Sequence, residues 1–131
     1  MANPFLFKSS AFLGLLHIIT CLLWKANPLL SIVYTGGVLT SLWNHGFTLK
    51  AAKWLDRSWM TIGTIIDIVF ILALPFVSKV IGLSMVLLYV SLYFMAKYMI
   101  KHKEGNKQYG NIPHLITHIG ATLCHVWLMV H

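Results

Sequence analysis

Apolar residues fall into five long runs separated by short polar or charged breaks. Residues 9–24, 26–49, 80–96 and 108–131 contain no Asp, Glu, Lys or Arg, and residues 58–78 contain one, Asp67. A helix needs roughly 20 apolar residues to cross the hydrocarbon layer, within a range of about 17–25. All five runs meet this if the first begins near Phe5 and Lys97 of the fourth snorkels its ammonium to the interface. The predicted segments are 5–24, 28–49, 55–76, 79–100 and 112–131. The expected fold is therefore all-α, a single integral-membrane bundle of about five transmembrane helices over residues 1–131.

The breaks carry their own signals. Asn3-Pro4 marks the first helix start, and Ala26-Asn27-Pro28 reads as a tight turn. Lys50-Ala51-Ala52-Lys53 reads as a second turn, with Trp54 and Trp59 expected at the membrane interface. Pro75 is expected near the end of the third helix, and residues 101–110 form the one long loop, charged and Gly-containing. Pro113 fits the first turn of the fifth helix, where a missing N–H removes no intrahelical bond. Gly36-Gly37 allow a bend or close approach of a neighbouring helix.

Composition agrees. Of 131 residues, 58% are apolar and 10% charged, against about a quarter charged in soluble proteins. The length leaves room for one domain, and there is no internal repeat. The first run follows Lys8 as a secretory signal would, but lacks a small-residue cleavage site, so a span is the better reading. Cys21 and Cys124 lie inside apolar runs and read as buried free thiols.

The formal charge of +7 does not indicate nucleic acid. With five crossings, one side carries Lys8, Lys50, Lys53, Arg57, Lys97, Lys101, Lys103 and Lys107, and the other only Lys25 and Lys79. This bias places the N-terminus in the cytoplasm and His131 across the membrane, with attraction to anionic lipid as a secondary effect.

Ionisable groups inside membrane helices are costly and need a partner or a purpose. His114 and His118 are four residues apart, so they project from one helix face and can chelate one metal. The bland alternative is a pair of neutral imidazoles hydrogen-bonded across helices. Ser41 and His45 form a second four-residue pair, and Asp56 opens the third helix at the same end. Three imidazoles and an open fourth position make the ligand set of a catalytic zinc. A carboxylate and a hydroxyl beside it are what a zinc-held water would use.

A deeper polar layer is also expected. Asp67 lies eleven residues beyond Asp56, and His125 eleven beyond His114. Eleven residues return to the same face about 16 Å further on. Asp67 and His125 should therefore hydrogen-bond, with His17 as a candidate third member. As roles for this layer, a structural pair fixing helix register stands beside a proton path and a second metal. His102 in the charged loop reads as solvated, and the stripe Tyr89, Tyr93, Phe94 and Tyr98 reads as packing.

The order Ser41, His45, Asp56 and then a His-x-x-x-His in the last helix resembles the CREST superfamily of alkaline ceramidases, adiponectin and progestin receptors and haemolysin III proteins. The resemblance covers the second, third and fifth helices, with little beyond the motif. It implies zinc bound by His45, His114 and His118, with Ser41 and Asp56 at the water side of the metal. The chain departs from the family in length: the family has seven helices and this sequence has room for five. A five-helix wall either leaves the site open to lipid or is closed by a second copy in a homo-oligomer.

The expected function is zinc-dependent, ceramidase-like hydrolysis of a membrane-lipid amide or ester, with Asp56 taking a proton from a water acidified by Zn2+ and Ser41 orienting that water or donating to the developing oxyanion. The alternatives are a receptor-like or structural membrane protein whose zinc only joins helices, and a haem protein using paired His.

Overall fold

The computed structural model describes residues 3–25, 27–102 and 108–131. Among them are five helices and no strand: α1 (Pro4–Leu23), α2 (Pro28–Gly46), α3 (Lys50–Leu72), α4 (Phe76–His102) and α5 (Gln108–Met129). Each packs on the next in sequence, and α5 returns to α1, so the five close into a ring. Helices α4 and α5 share the most extensive interface, and α3 meets α4 more sparsely.

Helices α1 and α2 begin alike. Asn3 and Asn27 accept backbone N–H groups of Leu6 and Leu29 on their side-chain oxygens, and each is followed by Pro at the first helical position. The cap satisfies an orphan donor, and the proline loses no bond because its N–H would be unpaired there anyway. The Asn3 N–H also donates to the His45 carbonyl at 3.0 Å, and its side-chain amide to Asn111 Oδ1 at 3.1 Å. The start of α1, the end of α2 and the start of α5 thus meet at one end of the bundle.

Several boundaries differ from the expected ones. Helix α2 stops at Gly46 and α3 starts at Lys50, so the Lys-Ala-Ala-Lys stretch is the first turn of a helix. Ala and Lys are strong helix formers, and Ala52 is fully buried. Helix α3 ends at Leu72, and the Pro75 carbonyl accepts the Lys79 N–H at 2.8 Å, so Pro75 opens α4 instead of closing α3. The residue before a proline disfavours helical dihedrals, which separates the two helices there. Helix α4 continues to His102, whose ring lies against Tyr98, so part of the expected long loop is helical. Residues 103–107 of that loop, and Ala26 of the first turn, lie outside the described residues.

Helix α5 starts at Gln108, which puts Pro113 inside it and not in its first turn. The early start is possible because Gly110 sits where a Cβ would press on the Ile100 side chain and the Ala96 carbonyl. Gly36 has a comparable role. The Trp59 ring occupies the space its side chain would take, and Trp59 Nε1 donates to the Val33 carbonyl at 2.7 Å. Trp59 is therefore a half-buried clamp between α2 and α3, with its indole N–H satisfied inside, whereas Trp54 is exposed.

Polarity is inverted relative to a soluble domain. Phe12, Ile32, Leu87 and Phe76 are 65%, 65%, 69% and 77% exposed, whereas Asp67 is completely buried and Asp56, Ser41 and His45 nearly so. Two helices, Pro4–Leu23 and Phe76–His102, are long and apolar enough to cross a membrane by length and composition. An apolar cluster of Leu30, Val33, Tyr34, Ile71, Val86 and Tyr89 with Cys124, Leu128 and Met129 fills the end of the bundle away from His45. Both cysteines are free, and Cys21 Sγ lies 3.3 Å from Met129 Sδ.

Candidate metal centre

Helices α2 and α5 bring three imidazoles together near the end where α1 begins. His45 stands on the last turn of α2, and His114 and His118 on successive turns of α5. The α5 rings stack at 4.8 Å with 11° between their planes, as four-residue spacing dictates. His45 meets both edge-on, at 5.2 Å and 5.5 Å between centroids. One ring nitrogen from each lies within 4.8 Å of the other two, making this the one group of three such side chains among the described residues that could hold a metal ion.

His45 Nε2 is buried with no hydrogen-bond partner among the described residues. A buried unpaired nitrogen costs about 1–3 kcal/mol, and an ion at the cluster would remove that cost. Around one tetrahedral zinc, ligand nitrogens stand roughly 3.4 Å apart, so side-chain adjustments on the order of an ångström would close the cluster. The residues fit a metal ion.

The two acid–base candidates are held by groups that sequence spacing did not identify. Asp56 accepts from Thr40 Oγ1 at 3.2 Å and from Asn44 Nδ2 at 2.9 Å. Thr40 and Asn44 are themselves four apart on α2, next to Ser41 and His45, so one helix presents two polar faces. Ser41 Oγ lies 3.2 Å from Ser10 Oγ on α1. Lys97, half-buried on α4, sets its ammonium 5.2 Å from the Tyr93 ring centroid, and Tyr93 meets His114 edge-on at 6.3 Å.

Ser41, Asp56, His114 and His118 line a cavity of about 440 Å³ whose wall is mostly apolar. Its lining includes Met60 and Ile65 of α3 and Phe94 of α4, all exposed, so the cavity reaches the outer surface between these two helices.

The deeper layer draws one residue from every helix. His125 Nε2 lies 2.9 Å from Asp67 Oδ2, and His125 Nδ1 lies 2.8 Å from His17 Nε2. Tyr34 donates to Asp67 Oδ1 at 2.5 Å and Tyr89 to Oδ2 at 2.9 Å. The Tyr34 ring stacks on His125 at 3.9 Å. Tyr89, read from spacing as packing, is thus a ligand of the buried carboxylate. Nothing in sequence links Tyr34 to Asp67, because the contact is made across two helices.

Comparison of the chain with protein-family models, curated proteins and solved structures finds no match.

Proposed function

We propose that the chain is an integral membrane protein of five spans whose three-His centre binds zinc and hydrolyses an amide or ester of a membrane lipid. The observation carrying this reading is the placement of Ser41, Asp56, His114 and His118 on one apolar cavity that opens sideways between α3 and α4. Exposed apolar side chains around a polar interior support membrane embedding, since a soluble monomer rarely exposes so much apolar surface and intramembrane polar groups face the bundle interior. On this reading the N-terminus is cytoplasmic, and the chain is a shortened relative of the CREST superfamily.

Zinc held by His45, His114 and His118 supplies a Lewis acid that lowers the pKa of water towards about 7. Asp56 is the general base. Its hydrogen bonds from Thr40 and Asn44 fix the carboxylate orientation and still leave lone pairs to receive a proton. Ser41 can turn its hydroxyl from Ser10 towards a developing oxyanion. The apolar wall takes the acyl chain, which once bound displaces bulk water from the cavity.

The test is metal content by elemental analysis, then fatty-acid release from labelled lipid amides and esters by zinc-loaded protein and by Asp56→Ala. Zinc at one per chain with Asp56-dependent release is the expected result. Zinc without release would leave a structural centre of the receptor-like kind, and absence of zinc would end the reading.

A further inference from the structure

Leu13, His17, His125 and Asp67 form a line joined by three hydrogen bonds. His17 Nδ1 is 2.8 Å from the Leu13 carbonyl oxygen, His17 Nε2 is 2.8 Å from His125 Nδ1, and His125 Nε2 is 2.9 Å from Asp67 Oδ2. Each contact needs one proton between its heavy atoms. Two neutral imidazoles bring two. The third must belong either to Asp67 as a carboxylic acid or to a ring as imidazolium facing the carboxylate. The count holds wherever along the line that proton sits.

The two ends limit the arrangement. A carbonyl oxygen only accepts, so His17 Nδ1 carries its proton towards Leu13. At the other end Tyr34 and Tyr89 donate their phenolic protons to Asp67, so they supply none to His125. Removing the third proton would set two lone pairs against each other across a contact of 2.8–2.9 Å. It would also leave a net negative charge on a carboxyl with no exposed surface. With the proton in place the group is neutral.

Such a group could be sealed inside the bundle, but this one is not. His17, Tyr34, Tyr89 and His125 line the same cavity as Asp56 and His118. We propose that Asp67, His125 and His17 form a proton-binding site, holding one exchangeable proton, that opens on the cavity of the three-His centre and acts as proton source and sink for chemistry there. The groups facing it are His17 from α1, Tyr34 from α2, Tyr89 from α4, and His125 and Cys124 from α5. Proton binding stands on the hydrogen bonds alone, while its use in hydrolysis rests on the reading of the three-His centre.

The test is infrared spectroscopy of the full chain in lipid nanodiscs on transfer to D2O. The sequence has three side-chain carboxyls, Asp56, Asp67 and Glu104, so the bands lost in Asp67→Asn, the C=O stretch of a carboxylic acid or the ring modes of an imidazolium facing the carboxylate, identify the site directly. In that variant an amide N–H can face His125 Nε2, which should keep the line neutral and the protein folded while removing the third proton. The expected result is that the Asp67-dependent bands shift at least about ten-fold faster than core amides exchange, since those amides exchange only by opening of the structure. Gly63→Leu places a side chain in the cavity, where a Cβ meets only Val33 Cγ1, at 3.6 Å; in folded protein it should slow the shift towards the amide rate. Bands insensitive to D2O, exchange no faster than the amides, or exchange in folded Gly63→Leu equal to wild type would each overturn the proposal. Fast exchange in protein that releases no fatty acid would reject the hydrolytic reading and leave the proton site standing.

Discussion

Replacing His45 with leucine should change sign in its effect on stability according to whether zinc is present. Without metal, His45 Nε2 is buried and unpaired by protein groups among the described residues. Such a nitrogen costs about 1–3 kcal/mol, and a swap of similar volume costs up to about 1.5 kcal/mol in repacking. The difference places His45→Leu between about 0.5 kcal/mol less stable and about 3 kcal/mol more stable in chelator. With zinc a thousand-fold above its Kd the wild type gains about 4 kcal/mol, because only the folded chain assembles the three ligands. The variant keeps His114 and His118 alone and gains far less. The assay is thermal unfolding in detergent, run in chelator and again in excess zinc. The wild-type midpoint should rise with zinc and overtake that of the variant. Equal rises in the two proteins, or no rise in the wild type, would refute the assignment of His45 as a ligand.

Asp56→Asn should retain zinc while lowering lipid hydrolysis by roughly 10²–10⁴-fold, the usual contribution of a general base; metal content and fatty-acid release measure the two effects. A double-mutant cycle on Asp67→Ala and His125→Ala, scored by thermal stability, should show coupling of about 0.5–3 kcal/mol, since the side chains are in contact; additivity would contradict the 2.9 Å hydrogen bond. A reporter fused after His131 should read as non-cytoplasmic, and a cytoplasmic signal would mean an even number of spans or inverted insertion. Lys25 holds a left-handed φ of 47° after α1, so Lys25→Gly should stabilise by about 1 kcal/mol in the same unfolding assay.

Local pattern by itself determined the number and class of the elements. Uninterrupted apolar runs and two Asn-Pro starts delimit α1 and α2 because both signals act within one turn of helix. The three imidazoles were likewise legible as candidates, since four-residue spacing places His114 and His118 on one face whatever surrounds them. Eleven-residue spacing brought Asp67 and His125 to a common depth for the same reason. Tertiary structure decided what local periodicity cannot encode. Gly110 lets α5 begin a turn early only because Ile100 and Ala96 lie against it, and Trp59 turns inward because Gly36 leaves space for its ring on a different helix. The partners of the two carboxylates have the same origin. Thr40, Asn44, Tyr34 and Tyr89 reach Asp56 and Asp67 across helix interfaces. Which polar side chains answer a buried charge depends on helix rotation and neighbour order, quantities set by packing of the whole ring and carried by no short stretch of sequence.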